Sequence, residues 1–264
     1  MLPKNLSNMR KLRKLVIGSE IYSIEGPKLT RMPLGIGELT CLKNLSTFVV
    51  SRLSDYAGIQ ELEKLEHLEG ELTINGLQNV LDPKDAYKAN LRSKEKLLTL
   101  TLRWPVGVSD VEIECNNSKE VLEAIQPHPN VKRSTSTKPY TSTTVVHRQL
   151  RQTEKASYGG GFGALQKLRI WDCPELEIMS VDFQHLISLE DLKLQWFPQL
   201  TSLPEEIQHA RRLQTLEIRV CKNLRKLPVL TSLRIINCHP ELHRRCCEDW
   251  NRIPNLRVEN FVEL

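Results

Sequence analysis

The chain has 264 residues, with 37 Lys and Arg against 32 Asp and Glu, a net charge of +5. All of that excess sits in residues 131–155, where six basic residues accompany one Glu, so no basic stripe runs along the rest of the chain and a nucleic-acid partner is not expected. No stretch reaches the ~18 consecutive apolar residues of a membrane span and MLPKNLSNMRK has no signal-peptide core, which predicts a cytoplasmic protein that could also enter the nucleus.

The apolar residues then fall into units. Leu6, Met9, Leu12, Leu15 and Ile17 form the first, which starts part-way through a unit and so predicts a longer polypeptide upstream. Ile36, Leu39, Leu42 and Leu45 form the second; Ile59, Leu62, Leu65, Leu68, Leu72 and Ile74 form the third. The strand leucines Leu15, Leu45, Leu72 and Leu100 are expected opposite one another. Asp82-Pro83 predicts a helix start, an N-cap carboxylate followed by proline at the first helical position, with helix through Ala86 and Ala89 to Lys96 and then a strand at Leu100 and Leu102. A second helix is predicted near Asn117, with Glu120 completing a capping box and Pro127 stopping it. Where the next strand leucines belong, the sequence has Ser134 and Ser136 in a Ser/Thr-rich, basic run that ends in GGGFG. That run is too poor in apolar residues for a packed strand and reads as a loop or disordered insert, with the glycines as a joint and not a phosphate cradle.

After the insert the pattern is regular. LQKLRIWDCPEL, LEDLKLQWFPQL and LQTLEIRVCKNL repeat one phrase, placing Leu168, Leu192 and Leu216 24 residues apart, with Cys173, Phe197 and Cys221 in the same step. This period predicts an α/β leucine-rich repeat solenoid: a curved parallel sheet on the concave side, short helices and irregular returns on the convex side. The organisation expected is an N-terminal repeat block, 1–132, an insert, 133–161, and a C-terminal block, 162–264, whose tail lacks a further repeat and caps the apolar edge with Trp250 and Ile253. The seven scattered cysteines fit reduced thiols, Cys173, Cys221 and Cys238 being core. Cys238, His239, His243, Cys246 and Cys247 lack paired C-x-x-C spacing, so no metal site is expected.

No phosphate-loop, zincin, nucleophile-elbow or kinase signature is present, and no histidine has a catalytic partner, so a non-enzymatic function is expected. What the repeats offer is the concave face, where the residues between the buried leucines stack into columns. One column reads Thr101, Arg169, Lys193, Glu217, Arg234; the next Arg103, Trp171, Gln195, Arg219, Ile236; a third Trp104, Asp172, Trp196, Val220, Asn237. Arg and Trp are the types enriched at binding hot spots. The protein-binding set is therefore Arg103, Trp104, Arg169, Trp171, Lys193, Gln195, Trp196, Glu217, Arg219 and Arg234.

The run IQELEKLEHLEGELTINGLQNVLDPKDAYKANLRSKEKLLTLTLRW closely resembles the repeat region of plant nucleotide-binding leucine-rich-repeat disease-resistance proteins of the coiled-coil class. MPLGIGELTCLKNLSTFVV, VLEAIQPHPNVK, the L-x-I-x-x-C-P-x-L units and the closing CHPELHRRCCEDWNRIPNL resemble the same family. The resemblance implies a defence-response role: recognising a pathogen effector or a guarded host protein, and restraining a nucleotide-binding domain of the same or another chain. That domain is not in this sequence, so the ATP or ADP it would bind has no site here and no cofactor is expected. The other readings are a free-standing repeat scaffold or substrate receptor, and a non-functional truncated paralogue.

Overall fold

The computed structural model describes residues 2–17, 29–104, 117–125, 162–179, 181 and 183–225, together with the backbone of 232–236 and 255–259. Among these residues ten strands follow in chain order: β1 Lys14–Leu15, β2 Asn44–Leu45, β3 Thr47–Val49, β4 Glu69–Asn75, β5 Lys96–Arg103, β6 Lys167–Trp171, β7 Asp191–Gln195, β8 Thr215–Arg219, β9 Ser232–Ile236 and β10 Asn255–Glu259. β1 and β2 form a two-stranded parallel sheet, and β3 to β10 lie side by side in sequence order in an eight-stranded one. The chain is an α/β leucine-rich repeat solenoid.

The returns are narrow for a geometric reason. Neighbouring strands stand about 4.8 Å apart, whereas an α-helix is about 10 Å wide, so helical returns fit only by splaying the back of the stack. Most units instead use 3₁₀ turns, at Ile36–Glu38, Ile59–Leu62, Phe183–His185 and Glu205–His209. Among the described residues the two α-helices, α1 Pro83–Lys88 and α2 Ser118–Ile125, occur in the long units. The leucine ladder is the core: Leu168 lies opposite Leu192 and Leu192 opposite Leu216, all buried, with Cys173, Phe197 and Cys221 closing the turns behind them.

Polar side chains tie unit to unit where leucines cannot. Both oxygens of Glu61 accept from the backbone of the preceding unit, from Gly35 N at 2.8 Å and Gly37 N at 2.7 Å. Asn79 Nδ2 donates to Val50 O at 2.9 Å. Gly76 permits that approach, since at its φ of +83° a Cβ would stand 2.7 Å from Val50 O.

Several expectations are corrected. The Asp82 side chain does accept from Lys84 N at 2.9 Å, but α1 ends at Lys88 and not at Lys96. Asn90 there turns left-handed, with φ of 49°, and a 3₁₀ turn at Leu91–Ser93 leads into β5. Asn117 precedes α2 as expected, yet its amide nitrogen donates across to Val80 O and Leu81 O, tying the helix to the previous unit. The leucine count places Leu45 opposite Leu72, whereas the strands pair Phe48 with Ile74, one residue away. At Ser46 the hydroxyl accepts from Ile17 N at 2.8 Å and donates to Ile17 O at 3.1 Å, and the strand breaks into β2 and β3. The tail does carry a further strand, β10, which places Leu256 opposite Leu233 and Val258 opposite Ile235. The insert, the capping residues Trp250 and Ile253, and the Cys/His cluster of the tail lie outside the described residues. β5 pairs directly with β6, Leu100 opposite Leu168, so the two repeat blocks share one sheet.

Candidate protein-recognition face

Alternation along each strand sends leucine and isoleucine into the core and the intervening residues to the open face. Because the strands are parallel and in register, those residues form rows across the sheet. One row runs Thr47, Thr73, Thr101, Arg169, Lys193, Glu217, and continues through the register positions of Arg234 and Arg257. The adjacent row runs Val49, Asn75, Arg103, Trp171, Gln195, Arg219. The face thus changes character at β5–β6, from small neutral residues to charged and aromatic ones.

Two clusters dominate the second half. Glu217 is only 4% exposed, and it accepts from Lys193 Nζ at 2.8 Å and from Arg219 Nε. Burial pushes its carboxyl pKa up, but the bonds and charges of Lys193 and Arg219 outweigh this and hold it below the ordinary carboxylate value. At the block boundary the Arg103 guanidinium lies 4.8 Å above the Trp171 ring and donates from Nη2 to Asp172 Oδ2 at 3.3 Å. Burial raises the Asp172 pKa against the pull of Arg103. Asp172 carries this contact and was not in the sequence-derived set; its place one residue beyond the strand was the available signal.

Arg169, Trp171, Lys193, Gln195 and Arg219 are all partly exposed on the face, and Trp196 is 52% exposed at its edge. For Arg234 the structure gives the register position beside Glu217. Trp104 is a correction: it is 1% exposed and belongs to the core. The reason lies in the turn after each strand. Asp172, Trp196 and Val220 adopt left-handed backbone, with φ of 61°, 62° and 54°, whereas Trp104 does not.

That conformation suits Asp but strains a β-branched residue, by about 1–2 kcal/mol. Val220→Asn is therefore expected to raise stability by about 1 kcal/mol, measured by urea denaturation; a lower midpoint would mean that the valine methyls contribute more than the strain costs.

A family profile described as R13L1/DRL21 LRRs matches residues 59–197. Curated relatives align over parts of the chain. "Putative disease resistance protein RGA1" of Solanum bulbocastanum is 40% identical over 104 residues, 39% of this chain and 10% of that protein. "Disease resistance protein RGA2" of the same species is 42% identical over 96 residues, 36% of this chain and 9% of the relative. "Putative disease resistance RPP13-like protein 1" of Arabidopsis thaliana is 40% identical over 93 residues, 33% of this chain and 9% of the relative. The chain covers no more than a tenth of the length of these relatives.

Proposed function

Because the chain belongs to the R13L1/DRL21 leucine-rich-repeat family, we propose that it is the recognition region of a plant intracellular immune receptor, binding a pathogen effector or a guarded host protein without catalysis. The observation that carries this reading is the register-locked row of Arg169, Lys193 and Glu217 beside Trp171, Gln195 and Arg219. Rigid parallel strands fix these side chains at strand spacing, so little conformational entropy is lost when a partner docks. Trp and Arg at the centre of such a face are the residue types that dominate binding energy. The names of the relatives support the defence role, and restraint of a nucleotide-binding domain, which would hold the ATP or ADP, is part of the same proposal. No helix among the described residues is long and apolar enough to cross a membrane.

The double variant Trp171→Ala, Arg219→Ala tests it. The tagged wild-type chain is expressed in leaf tissue, and a protein that co-purifies with it is then purified and titrated against the wild type and the variant. The expected loss in affinity is at least about 30-fold, from two hot-spot truncations of about 1–2 kcal/mol each, with unchanged circular dichroism. Equal binding by the folded double variant would remove the open face from the recognition site.

A further inference from the structure

Across β6, β7 and β8 the open face carries Lys167, Arg169, Lys193 and Arg219 against Asp191 and Glu217. Depth separates the two signs. The Glu217 side chain is 5% exposed, against 32% for Lys193 and 40% for Arg219, and each of its oxygens is already bonded to one of them. One carboxylate oxygen of Asp191 is buried as well. The charge these strands hold outermost is therefore positive, although the chain outside residues 131–155 is balanced in charge. Glu71, an exposed acid of the same face, lies on β4, two strands away from Arg169. Arg169 itself is partly exposed, and among the described residues no acid pairs with it. Its register neighbours are Thr101 on one side and Lys193 on the other. Like charges directly opposite on adjacent strands destabilise a sheet. An anion from outside relieves that repulsion, and a planar carboxylate fits the guanidinium fork.

We propose that the partner docks on β6–β8 through an acidic protein segment, its carboxylates held by Arg169 and by the outward sides of Lys193 and Arg219. This rests on the recognition reading above and adds the charge of what is recognised. Nucleic acid fits the face less well. The Trp171 ring, on which a base would stack, already carries the Arg103 guanidinium at 4.8 Å, and the recessed carboxylates interrupt the track that a phosphate backbone needs.

Fluorescence anisotropy on the full chain, with a labelled oligoglutamate peptide as the probe, tests it. The probe is expected to bind the wild type at low salt and to be released near 1 M salt, where screening acts within about 3 Å. Arg169→Glu is expected to weaken binding about tenfold and Arg169→Gln about threefold, the charge-assisted bond being lost in both and repulsion added in the first. Lys84→Glu, the same change of charge at an exposed position of α1, is expected to leave binding unchanged. No binding by the wild type overturns the proposal, as does equal weakening by Lys84→Glu, which would show an effect of net charge alone. Binding that ignores both Arg169 variants but is lost when the basic residues of 131–155 are neutralised overturns it too, and so does tighter, Arg169-dependent binding of a single-stranded RNA of equal charge. The recognition reading fails on a different result, equal partner binding by the Trp171→Ala, Arg219→Ala chain.

Discussion

Leu192→Ala is expected to lower the unfolding free energy by about 2–5 kcal/mol. Leu192 is fully buried on β7, between Leu168 of the unit before and Leu216 of the unit after. Truncation removes the transfer free energy of three carbons and leaves a void that the flanking leucines cannot fill, because their own positions are set by the hydrogen-bonded ladder. In a stack whose stability is a sum of nearest-neighbour interfaces, a central unit contributes to two of them, so both are weakened together. Leu192→Met, which conserves volume, is expected to cost less than about 1.5 kcal/mol. Urea denaturation of the three proteins separates these cases, and an unchanged midpoint for the alanine variant would mean that the register is misassigned.

Lys94→Met is expected to stabilise the protein at pH 7, by roughly 1–3 kcal/mol. Lys94 is 1% exposed, and its Nζ has no hydrogen-bond partner among the described residues. The position is a leucine position. Lys94 N bonds to Leu91 O in the same turn in which Leu42 N bonds to Leu39 O, Leu65 N to Leu62 O and Leu189 N to Leu186 O, and those three leucines are fully buried. Burial lowers the lysine pKa from 10.5 to about 8, with Glu66 and Glu63 offsetting only part of the effect. The sign follows from proton counting. Between pH 8 and 10.5 the unfolded chain holds this proton and the folded chain has released it, so stability rises with pH across that window; below pH 8 both states are charged and the full burial cost applies. The difference in unfolding free energy between Lys94→Met and the wild type should therefore be largest near neutral pH and shrink as pH approaches 10.5. A difference independent of pH would show that packing, and not charge, accounts for the gain.

Much of this was legible in the sequence because a parallel repeat converts spacing directly into register. Leu168, Leu192 and Leu216 stand one period apart and do lie side by side, and the rows containing Arg169, Lys193 and Glu217, and Trp171, Gln195 and Arg219, follow from the same count. The count misled where the backbone leaves the strand. Trp104 was assigned outward because both residues after the second strand leucine were counted to the open face; with no left-handed turn at Trp104 the alternation continues past Arg103 and sends its side chain inward, whereas Asp172, Trp196 and Val220 leave the strand. The break at Ser46, whose hydroxyl bonds to Ile17, is a feature no hydrophobic pattern encodes. Lys94 escaped notice because a lysine in a leucine position reads as surface, and β10 because the stretch before Asn255–Glu259 holds a single leucine, Leu242.

The direct pairing of β5 with β6 has a consequence for how the chain tolerates change in length. Closing a flexible segment between fixed ends costs about 0.6 kcal/mol more for each doubling of its length. Arg103 and Lys167 stand on adjacent strands with more than two repeat lengths of sequence between them, so the register there is set by the strand pairing itself, and by the same scaling a dozen residues added to a flexible segment of that length would cost only a few tenths of a kcal/mol. In the 24-residue units every leucine has an assigned neighbour, and the same edit would put each following leucine out of step. Insertions, tags or grafted segments therefore belong between β5 and β6, outside α2 and the buried Trp104, Phe162 and Leu165, in a connection whose length the leucine ladder does not count.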